Sequence, residues 1–423
     1  MFGKLPWGLK LYRGFTYLVA PAAKLILKSR ASKGKEDQNR LNERLGRPEI
    51  PRPAGRLVWI HGASVGESVA ALPLINKLLY DGTVLVTSGT VASAEVMKRR
   101  LPPGVIHQFV PLDTPGAVKR FLDHWKPNAA LFVESELWPN LLLTAAARGV
   151  RLVLINARIS ERSAAGWQRV PKSARHLFQI FDAVLAQDEE IAARFRKLGA
   201  RDVRVVGSLK ADAPPLSCDV AALGVLKKEI GTRPLLIAAQ THPGEDETVL
   251  PAHDSLRRRF PDLLTIIVPR HTARGADIAM LCGQRAVARR SLGEPISTET
   301  EIYVADTMSE MGLFYRLARF CFLGATLVPM GGHNPLEPAV LHCGVIAGPH
   351  RSSNAKAFEA IMGAQGLGDV RTSGDIAALV EKLIENPSLA AAMGEAAARG
   401  AAAQAGAVSA TMAVLESLKH AGA

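Results

Sequence analysis

The chain has 423 residues, which is too many for one ordinary core, so two domains of roughly 200 residues are expected. Its 48% hydrophobic and 22% charged residues exclude a disordered protein. The net charge of +13 predicts an anionic partner, but only 5% of residues are aromatic and no nucleic-acid-binding signature is present, so nucleic acid is not expected. Four scattered cysteines and eleven histidines without metal-ligand spacing argue against a disulfide framework and a metal cofactor.

Residues 1–35 combine an aromatic and apolar run with basic residues. The run from Gly14 to Ala23 is interrupted by Pro21 and followed by Lys24, so it is short for the roughly 20 apolar residues of a membrane span. Aromatic residues in the headgroup layer and lysines on anionic lipid favour a segment lying on the cytoplasmic face of the membrane. A single tilted span and a cleaved signal remain alternatives.

From Arg56 onwards apolar strands alternate with helical stretches. Strands that are apolar on both faces and alternate with helices predict a parallel sheet covered on both sides. The proline-rich segment 211–217 predicts a boundary, after which the alternation restarts, and the alanine-rich tail predicts one or two closing helices. We therefore predict an anchor (1–35), two Rossmann-like doubly wound domains (36–212 and 213–400) with a cleft between them, and a C-terminal helix or tail (401–423). The predicted strands are Leu57–Ile60, Thr83–Thr87, Val105–Val110, Ala129–Val133, Arg151–Ile155, Asp182–Ala186 and Val203–Val206, then Leu235–Ala238, Leu264–Val268, Glu301–Val304, Phe320–Leu323 and Val345–Ala347.

Polar loops follow the strands of the first domain. Glu67 lies in a glycine-containing loop at a predicted helix start, where it can complement the helix dipole or act as a general base. The loop lacks the G-x-G-x-x-G spacing, which argues against a nicotinamide dehydrogenase. Glu134 and Glu136 directly follow another strand, and one of them is expected to face the cleft. Lys210 is either solvated or a point charge for an anionic substrate.

The loops of the second domain suit a nucleotide. Arg270, after Pro269, is well placed for a phosphate or a base, and Ser309 lies at a predicted helix start. The stretch 331–338 joins a strand to a helix: its glycine pair allows close backbone approach, and the helix start offers N–H groups to an anion. His333 and Asn334 can donate and accept hydrogen bonds, and Glu337 can bind ribose hydroxyls. A plain glycine turn is the alternative.

Seven motifs together resemble the bacterial 3-deoxy-D-manno-octulosonic acid (Kdo) transferases of lipid A assembly. They occur in the order and spacing of that family from about residue 40 to about residue 355, and each alone is weak. The motifs are Gly62-Ala-Ser-Val-Gly-Glu67, Glu134-Ser-Glu-Leu-Trp-Pro-Asn140, Asn156-Ala-Arg158, Gly207-Ser-Leu-Lys210, Val268-Pro-Arg-His271, Asp306-Thr-Met308 and Gly331-Gly-His-Asn-Pro-Leu-Glu337.

The resemblance implies a two-domain GT-B enzyme that moves Kdo from CMP-Kdo to a lipid A precursor at the inner membrane of a Gram-negative cell, inverting the anomeric centre without a metal or other cofactor. It implies that Glu67 is the catalytic base and that Glu134 and Lys210 stabilise the transition state. It further implies that CMP is held by three groups of residues: Pro269 and Arg270; Met308, Ser309 and Glu310; and Asn334, Pro335, Leu336 and Glu337.

This chain departs from the family pattern at the nucleotide rim. The family usually has glycine where this chain has Ser309, and Pro-Glu where it has Thr272-Ala273. Competing hypotheses are a nucleotide-sugar 2-epimerase or a lipid A disaccharide synthase, which would share the layout without the loops that carry Glu134 and Lys210. A basic membrane-binding protein that keeps a nucleotide fold without turnover is a further alternative.

Overall fold

The structure, a computed structural model, describes residues 5–420. The chain divides into two compact units: unit 1 comprises the residues up to 213 together with those from 405 onwards, and unit 2 comprises residues 214–404. The division at 213/214 lies one residue from the predicted boundary. The C-terminal segment belongs with the first unit, so the chain passes between the units twice.

Unit 1 is built on a seven-stranded parallel sheet with the strand order β3-β2-β1-β4-β5-β6-β7. Because the winding direction reverses between β1 and β4, the loops after these two strands diverge and leave room for a ligand at the carboxyl edge. The strands are β1 (Leu57–His61), β2 (Thr83–Ser88), β3 (Ile106–Phe109), β4 (Ala129–Val133), β5 (Arg151–Ala157), β6 (Ala183–Ala186) and β7 (Val203–Val205).

Helices cover both faces of this sheet. One face packs an aromatic-rich core that includes Trp59, Phe121 and Phe132, and the other packs an aliphatic core that includes residues 407–415 of the last helix. This explains why the strands are apolar on both faces. The helices of unit 1 are α1 (Trp7–Val19), α2 (Ala23–Ala31), α3 (Leu41–Arg44), α4 (Val65–Ala70), α5 (Leu72–Leu78), α6 (Val91–Arg100), α7 (Pro115–Trp125), α8 (Pro139–Ala147), α9 (Glu161–Gln168), α10 (Pro171–Phe178), α11 (Glu189–Leu198) and, at the chain end, α20 (Ala407–His420).

Unit 2 repeats the arrangement with the strand order β10-β11-β9-β8-β12-β13-β14, again all parallel. The winding direction here reverses between β8 and β12. The strands are β8 (Leu235–Thr241), β9 (Leu264–Pro269), β10 (Val287–Arg289), β11 (Ile302–Val304), β12 (Phe320–Leu323), β13 (Gly344–Ala347) and β14 (Leu367–Asp369). The helices are α12 (Val220–Ile230), α13 (Asp246–Arg257), α14 (Gly275–Leu281), α15 (Met311–Tyr315), α16 (Leu336–Ala339), α17 (Ala355–Gly363), α18 (Ser373–Glu385) and α19 (Pro387–Ala402).

All twelve predicted strands are present, two of them with the predicted ends and the others with ends that differ by at most three residues. Two further strands, β10 and β14, are not predicted by the sequence; they have three residues each and form the two edges of the second sheet. Edge strands are short and only half-buried, so their sequences carry little of the apolar pattern that identifies the central strands.

The N-terminal segment folds as two helices, α1 and α2. Leu9 is buried, Tyr12 Oη donates a 2.8 Å hydrogen bond to Asp113 Oδ2, and Thr16 Oγ1 accepts one of 2.9 Å from Asn140 Nδ2, so one face of α1 is docked on unit 1. The opposite face is apolar and exposed: Trp7 is 75%, Leu11 60%, Phe15 65% and Leu18 78% accessible. Within residues 5–420, no helix is both long and apolar enough to cross a membrane.

Candidate functional site

The predicted catalytic residues of unit 1 lie at the carboxyl ends of neighbouring strands. Glu67 follows β1, Glu134 follows β4, and Asn156 lies at the end of β5, so the first two flank the point where the winding reverses. Lys210 lies in the 3-10 turn Leu209–Asp212 beyond β7, and its ammonium reaches Glu134. The structure therefore gathers charged side chains that are separated by more than 140 residues of sequence.

The Glu67 carboxylate is held in a fixed orientation at the start of α4. Its Oε2 accepts a 2.8 Å hydrogen bond from the Ala63 amide, and its Oε1 accepts one of 2.7 Å from the Ser64 hydroxyl, which in turn caps α4 through the Glu67 amide. Burial raises the pKa of Glu67, although these two hydrogen bonds oppose the shift, and the negative charges of Glu136 and Glu134 add to it. The Glu67 side chain thus stabilises the start of α4, and it is also a half-buried carboxylate whose raised pKa makes it more basic.

Glu134 and Lys210 form an ion pair of 3.3 Å between Oε1 and Nζ. Glu134 has a positive φ of 59°, and Asn156, with φ 50°, lies where the register between β5 and β6 shifts. Asn156 Oδ1 accepts hydrogen bonds from Leu209 N (3.1 Å) and Ser208 Oγ (3.4 Å), so it ties the Lys210 turn to the end of β5. Strained backbone of this kind is frequent at functional sites, and here it aims the paired side chains at one edge.

Glu136 is a third carboxylate of this edge. His61 is fully buried, its Nδ1 lies 3.0 Å from Thr87 Oγ1, and its Nε2 lies 3.3 Å from Glu136 Oε2, which also accepts a 2.6 Å bond from Trp138 Nε1. Burial alone would raise the pKa of Glu136, but the hydrogen bond and charge of His61 and the bond from Trp138 outweigh it, so the pKa is lowered. Glu136 therefore stays ionised and adds negative charge beside Glu67.

In unit 2 the loop 331–337 follows β12, beside the reversal between β8 and β12. Gly331 and Gly332 adopt φ of 89° and 80°, and a Cβ on either would approach neighbouring atoms to 2.2 Å and 2.8 Å, so both positions require glycine. The following helix, α16, has only four residues, and its Leu336 amide is occupied by Asn334 Oδ1 at 3.1 Å. At the predicted anion site the Leu336 amide is therefore already satisfied by Asn334, and binding of an anion at this helix start stays a prediction.

Glu337 is directed towards the end of β8. Gln240, at a register shift between β8 and β9 with φ 56°, donates a 3.2 Å hydrogen bond from Nε2 to Glu337 Oε2 and lies 3.3 Å from Tyr315 Oη. Pro335 and Leu336 are buried, so they can contribute backbone groups but not side chains to a ligand. Of the four residues predicted in this loop, Asn334 and Glu337 present polar side chains.

Pro269 ends β9 and is buried, whereas Arg270 is exposed. The Arg270 amide bonds to Thr241 O at 3.0 Å, which fixes the start of this loop against the loop after β8. Its guanidinium pairs with no carboxylate among residues 5–420, and its charge acts on His242 and His333. Arg270 is thus available to bind an anion.

The predicted residues 308–310 precede α15. Met308 and Ser309 are exposed, and Ser309 has φ 67°, a conformation that favours glycine. Glu310 is already paired: its carboxylate binds Arg290, with an Nε–Oε2 distance of 2.6 Å, and accepts a hydrogen bond from Thr307. The Arg290 bond lowers the pKa of Glu310, against the opposing effect of burial. The Glu310 side chain therefore braces the loop, which leaves the backbone of 308–309 to meet a ligand.

Two further features of unit 2 escaped the sequence analysis. Glu245 is fully buried and accepts four backbone hydrogen bonds, from His242 (3.0 Å), Ala325 (2.8 Å), Thr326 (3.0 Å) and Leu327 (3.0 Å), so it joins the loops after β8 and β12. His242 Nε2 and His333 Nε2 lie 3.0 Å apart. Apart from His242, which lies three positions before Glu245, the partners are 80 or more residues away, and no local pattern signals such pairs.

A metal site is not formed by the usual ligands in the part of the chain that the structure describes. Within those residues no group of three or more His, Cys, Asp and Glu side chains could hold an ion.

Comparison with known proteins places these features in a family context. The family model for 3-deoxy-D-manno-octulosonic-acid transferase matches residues 39–213. A protein of Arabidopsis thaliana, described as a probable mitochondrial 3-deoxy-D-manno-octulosonic acid transferase, is 37% identical over 90% of this chain and 89% of its own length. The 3-deoxy-D-manno-octulosonic acid transferase of Haemophilus influenzae is 33% identical over 85% of this chain and 86% of its own.

The fold is also similar to that of solved structures. A crystal structure of UDP-GlcNAc 2-epimerase from Neisseria meningitidis matches with a TM-score of 0.57 and 14% identity, covering 86% of this chain and 100% of the epimerase. At this identity the likeness concerns the fold alone. Together with the two doubly wound sheets, it confirms the predicted GT-B class.

Proposed function

The chain belongs to the 3-deoxy-D-manno-octulosonic acid (Kdo) transferase family and is a glycosyltransferase, and we propose that it moves Kdo from CMP-Kdo to a lipid A precursor with inversion at the anomeric carbon. The observation that best supports this mechanism is the Glu67 carboxylate. Two hydrogen bonds orient it, and burial together with the charges of Glu136 and Glu134 raises its pKa. A carboxylate of raised pKa at the carboxyl edge of a switch-point sheet is suited to accept a proton.

In the proposed reaction, a hydroxyl of the acceptor sugar attacks the anomeric carbon of Kdo. Its proton passes to Glu67, the new C–O bond forms opposite the leaving group, and the bond between the anomeric carbon and the phosphate oxygen breaks. The electron pair leaves with CMP. These steps balance in protons and charge without an additional reactant. Because CMP has a single phosphate, the donor needs no metal-bound diphosphate site, and the proposed mechanism uses no cofactor.

The pair of Glu134 and Lys210 is proposed to stabilise charge in the transition state. An ammonium 3.3 Å from a carboxylate is oriented rather than freely mobile, and preorganised charges stabilise a transition state without reorganising during the reaction. Lys210 remains 44% accessible at its side chain, so it can also contact an incoming anionic group. Asn156 is proposed to position this pair through the Leu209 amide.

For the donor, we propose that the loops of unit 2 bind CMP. Arg270 supplies an unpaired positive charge, Glu337 can accept hydrogen bonds from ribose hydroxyls, and residues 308–309 and 334–336 supply backbone groups. Gly331 and Gly332 permit the close approach of backbone that this binding mode needs.

The acceptor is a lipid, and the exposed face of α1 supports binding at a membrane surface. Trp7, Leu11, Phe15 and Leu18 follow one another at helical spacing on the face opposite the docked one. Aromatic and aliphatic side chains on one face of a short helix insert into the headgroup layer, and the net charge of +13 favours anionic lipid. We propose attachment to the cytoplasmic face of the inner membrane by this helix.

The test is transfer of labelled Kdo from CMP-Kdo to a tetra-acylated lipid A precursor, with products resolved by mass. Glu67→Gln is the variant of choice because glutamine can still accept from the Ala63 amide and donate to Ser64, so the loop is retained while the base is removed. We expect a fall in kcat of about 10²–10⁴-fold with CMP binding unchanged. A well-folded wild type that transfers no Kdo would refute the proposal, and a Glu67→Gln variant within tenfold of wild type would refute the role of Glu67.

A further inference from the structure

The loops after β8, β9 and β12 bring together a cationic cluster that contains three histidines. His242 follows β8, His271 follows β9, and His333 follows β12, and the rings of His242 and His271 have centroids 5.9 Å apart. Arg270 and Arg274 lie in the same group of loops and act electrostatically on His242. The cluster, which we call the histidine cluster, thus comprises His242, His271, His333, Arg270 and Arg274.

The nearby carboxylates are already engaged. Glu245 accepts hydrogen bonds from four backbone amides, Asp246 binds the Arg274 guanidinium, and Glu337 accepts a hydrogen bond from the Gln240 side chain. Because Arg270 pairs with no carboxylate within the described residues, its guanidinium is available to bind an anion. Such a group of loops at a switch point is suited to an anion.

The protons of the histidine pair can be assigned from its contacts. Two ring nitrogens 3.0 Å apart require one proton between them. The backbone of Gln240 favours a proton on the His333 ring, and because Nε2 of His333 faces His242, we assign this proton to Nδ1. Neutral His333 therefore accepts at Nε2, and His242 donates from its own Nε2. Nδ1 of His242 is the remaining basic nitrogen of the pair.

The surroundings keep this nitrogen unprotonated while no anion is present. Burial lowers the pKa of His242, and the charges of His271, Arg270 and Arg274 lower it further, while Glu245 opposes the shift. Burial, His242 and Arg270 also lower the pKa of His333, to about 4. An anion beside Arg270 would offset the repulsion between the nearby positive charges and a proton on His242. Protonation of Nδ1 breaks none of the hydrogen bonds assigned above.

We infer that the histidine pair forms a proton-coupled anion site, in which His242 takes up a proton at Nδ1 when an anionic oxygen of the donor binds beside Arg270. The inference rests on the proposed function, because the anion is taken to be the phosphate or the sugar carboxylate of the donor. His242 is the residue that gains the charge, and His333 is a positioning residue that fixes its tautomer. The consequence is that donor affinity falls as pH rises through the range in which the free enzyme has a neutral His242.

The experiment is calorimetric titration of the full chain with CMP at about pH 8, in buffers that differ in ionisation enthalpy. The dependence of the observed heat on the buffer gives the number of protons taken up. We expect the wild type to take up a measurable fraction of one proton per CMP, with Kd rising as the pH is raised. Cytidine, which lacks the phosphate, and free Kdo, which has only the carboxylate, are titrated alongside, so that uptake with CMP or with Kdo identifies which anion His242 meets.

The matched variants are His242→Gln and His271→Gln. Glutamine at 242 can donate to His333 from its amide nitrogen but cannot be protonated, so we expect CMP binding to persist with proton uptake near zero. His271→Gln should retain uptake. Binding of CMP and Kdo to the wild type without proton uptake, or uptake that survives in His242→Gln, would overturn this inference alone. Failure of CMP to bind a folded wild type would overturn the proposed donor site and this inference together.

Discussion

Replacement of Glu245 tests how the nucleotide-side loops are held. The Glu245→Ala substitution removes the acceptor of four buried backbone amides, those of His242, Ala325, Thr326 and Leu327. An unsatisfied buried donor costs about 1–3 kcal/mol, so even the lower bound for four amides is about 4 kcal/mol. That is a large part of the roughly 5–15 kcal/mol by which a folded domain is stable. Glu245→Gln keeps one oxygen and leaves two backbone amides facing an NH₂ group, so we expect it to destabilise these loops by about 2–6 kcal/mol.

The measurement is hydrogen exchange followed by mass spectrometry on peptides that contain residues 325–327. A loss of about 4 kcal/mol corresponds to roughly a thousandfold loss of protection. Glu247→Gln is the matched control, because Glu247 is exposed and accepts one amide, that of Gly244 at 2.7 Å, so a change within about 0.5 kcal/mol is expected.

Tryptophan fluorescence supplies an internal reference for the same experiment. All five tryptophans belong to unit 1, so the emission should be unchanged if the defect is confined to unit 2. Protection at 325–327 within tenfold of wild type in Glu245→Ala would refute the reasoning, since it would mean that water or other groups satisfy these amides equally well. The tryptophans are Trp7, Trp59, Trp125, Trp138 and Trp167.

Three further predictions concern separate regions. Glu136→Gln removes a negative charge that raises the pKa of Glu67, so the acid limb of the kcat/KM profile should move to lower pH; an unchanged or higher limb would exclude this coupling. Ser309→Gly should stabilise unit 2 by about 0.5–1 kcal/mol, because relief of the left-handed backbone conformation, worth about 1–2 kcal/mol, exceeds the entropy cost of glycine. Urea unfolding followed by far-UV circular dichroism measures this change, and a less stable variant would contradict the prediction. Leu11→Asp with Phe15→Asp should abolish sedimentation with anionic vesicles while transfer to detergent-dispersed acceptor is retained, and persistent sedimentation would argue against α1 as the anchor.

The fold was accessible from sequence because its central strands are apolar on both faces. Ala129–Val133 and Phe320–Leu323, for example, are buried at every position, and such runs between helical stretches have few other interpretations. Glu67, Glu134 and Glu136 were identified because polar residues that directly follow such strands lie at the carboxyl edge of the sheet. The position in the chain was enough to select them.

The contacts between these residues were beyond reach of the sequence. Lys210 pairs with Glu134 across 76 positions, and His242 meets His333 across 91. Glu245 resembles an ordinary first-turn carboxylate, and only the tertiary structure places two loops around it. The helix predicted at the stretch 331–338 has only the four residues of α16 in the structure, because the apolar residues there are buried in a short turn.

The return of the C-terminal segment to unit 1 has a consequence for synthesis. Asp212 accepts hydrogen bonds from the amides of Gly406 and Val408, and the side chains of Val408 and Leu415 complete one of the two cores of the first sheet. A ribosome releases Gly406 194 positions after Asp212, so the first half of the chain leaves the exit tunnel with part of an apolar face still uncovered. Unit 2, although it is translated later, is the first of the two that can complete its own core. The nascent first half therefore offers an apolar surface to chaperones until residues 407–415 have emerged.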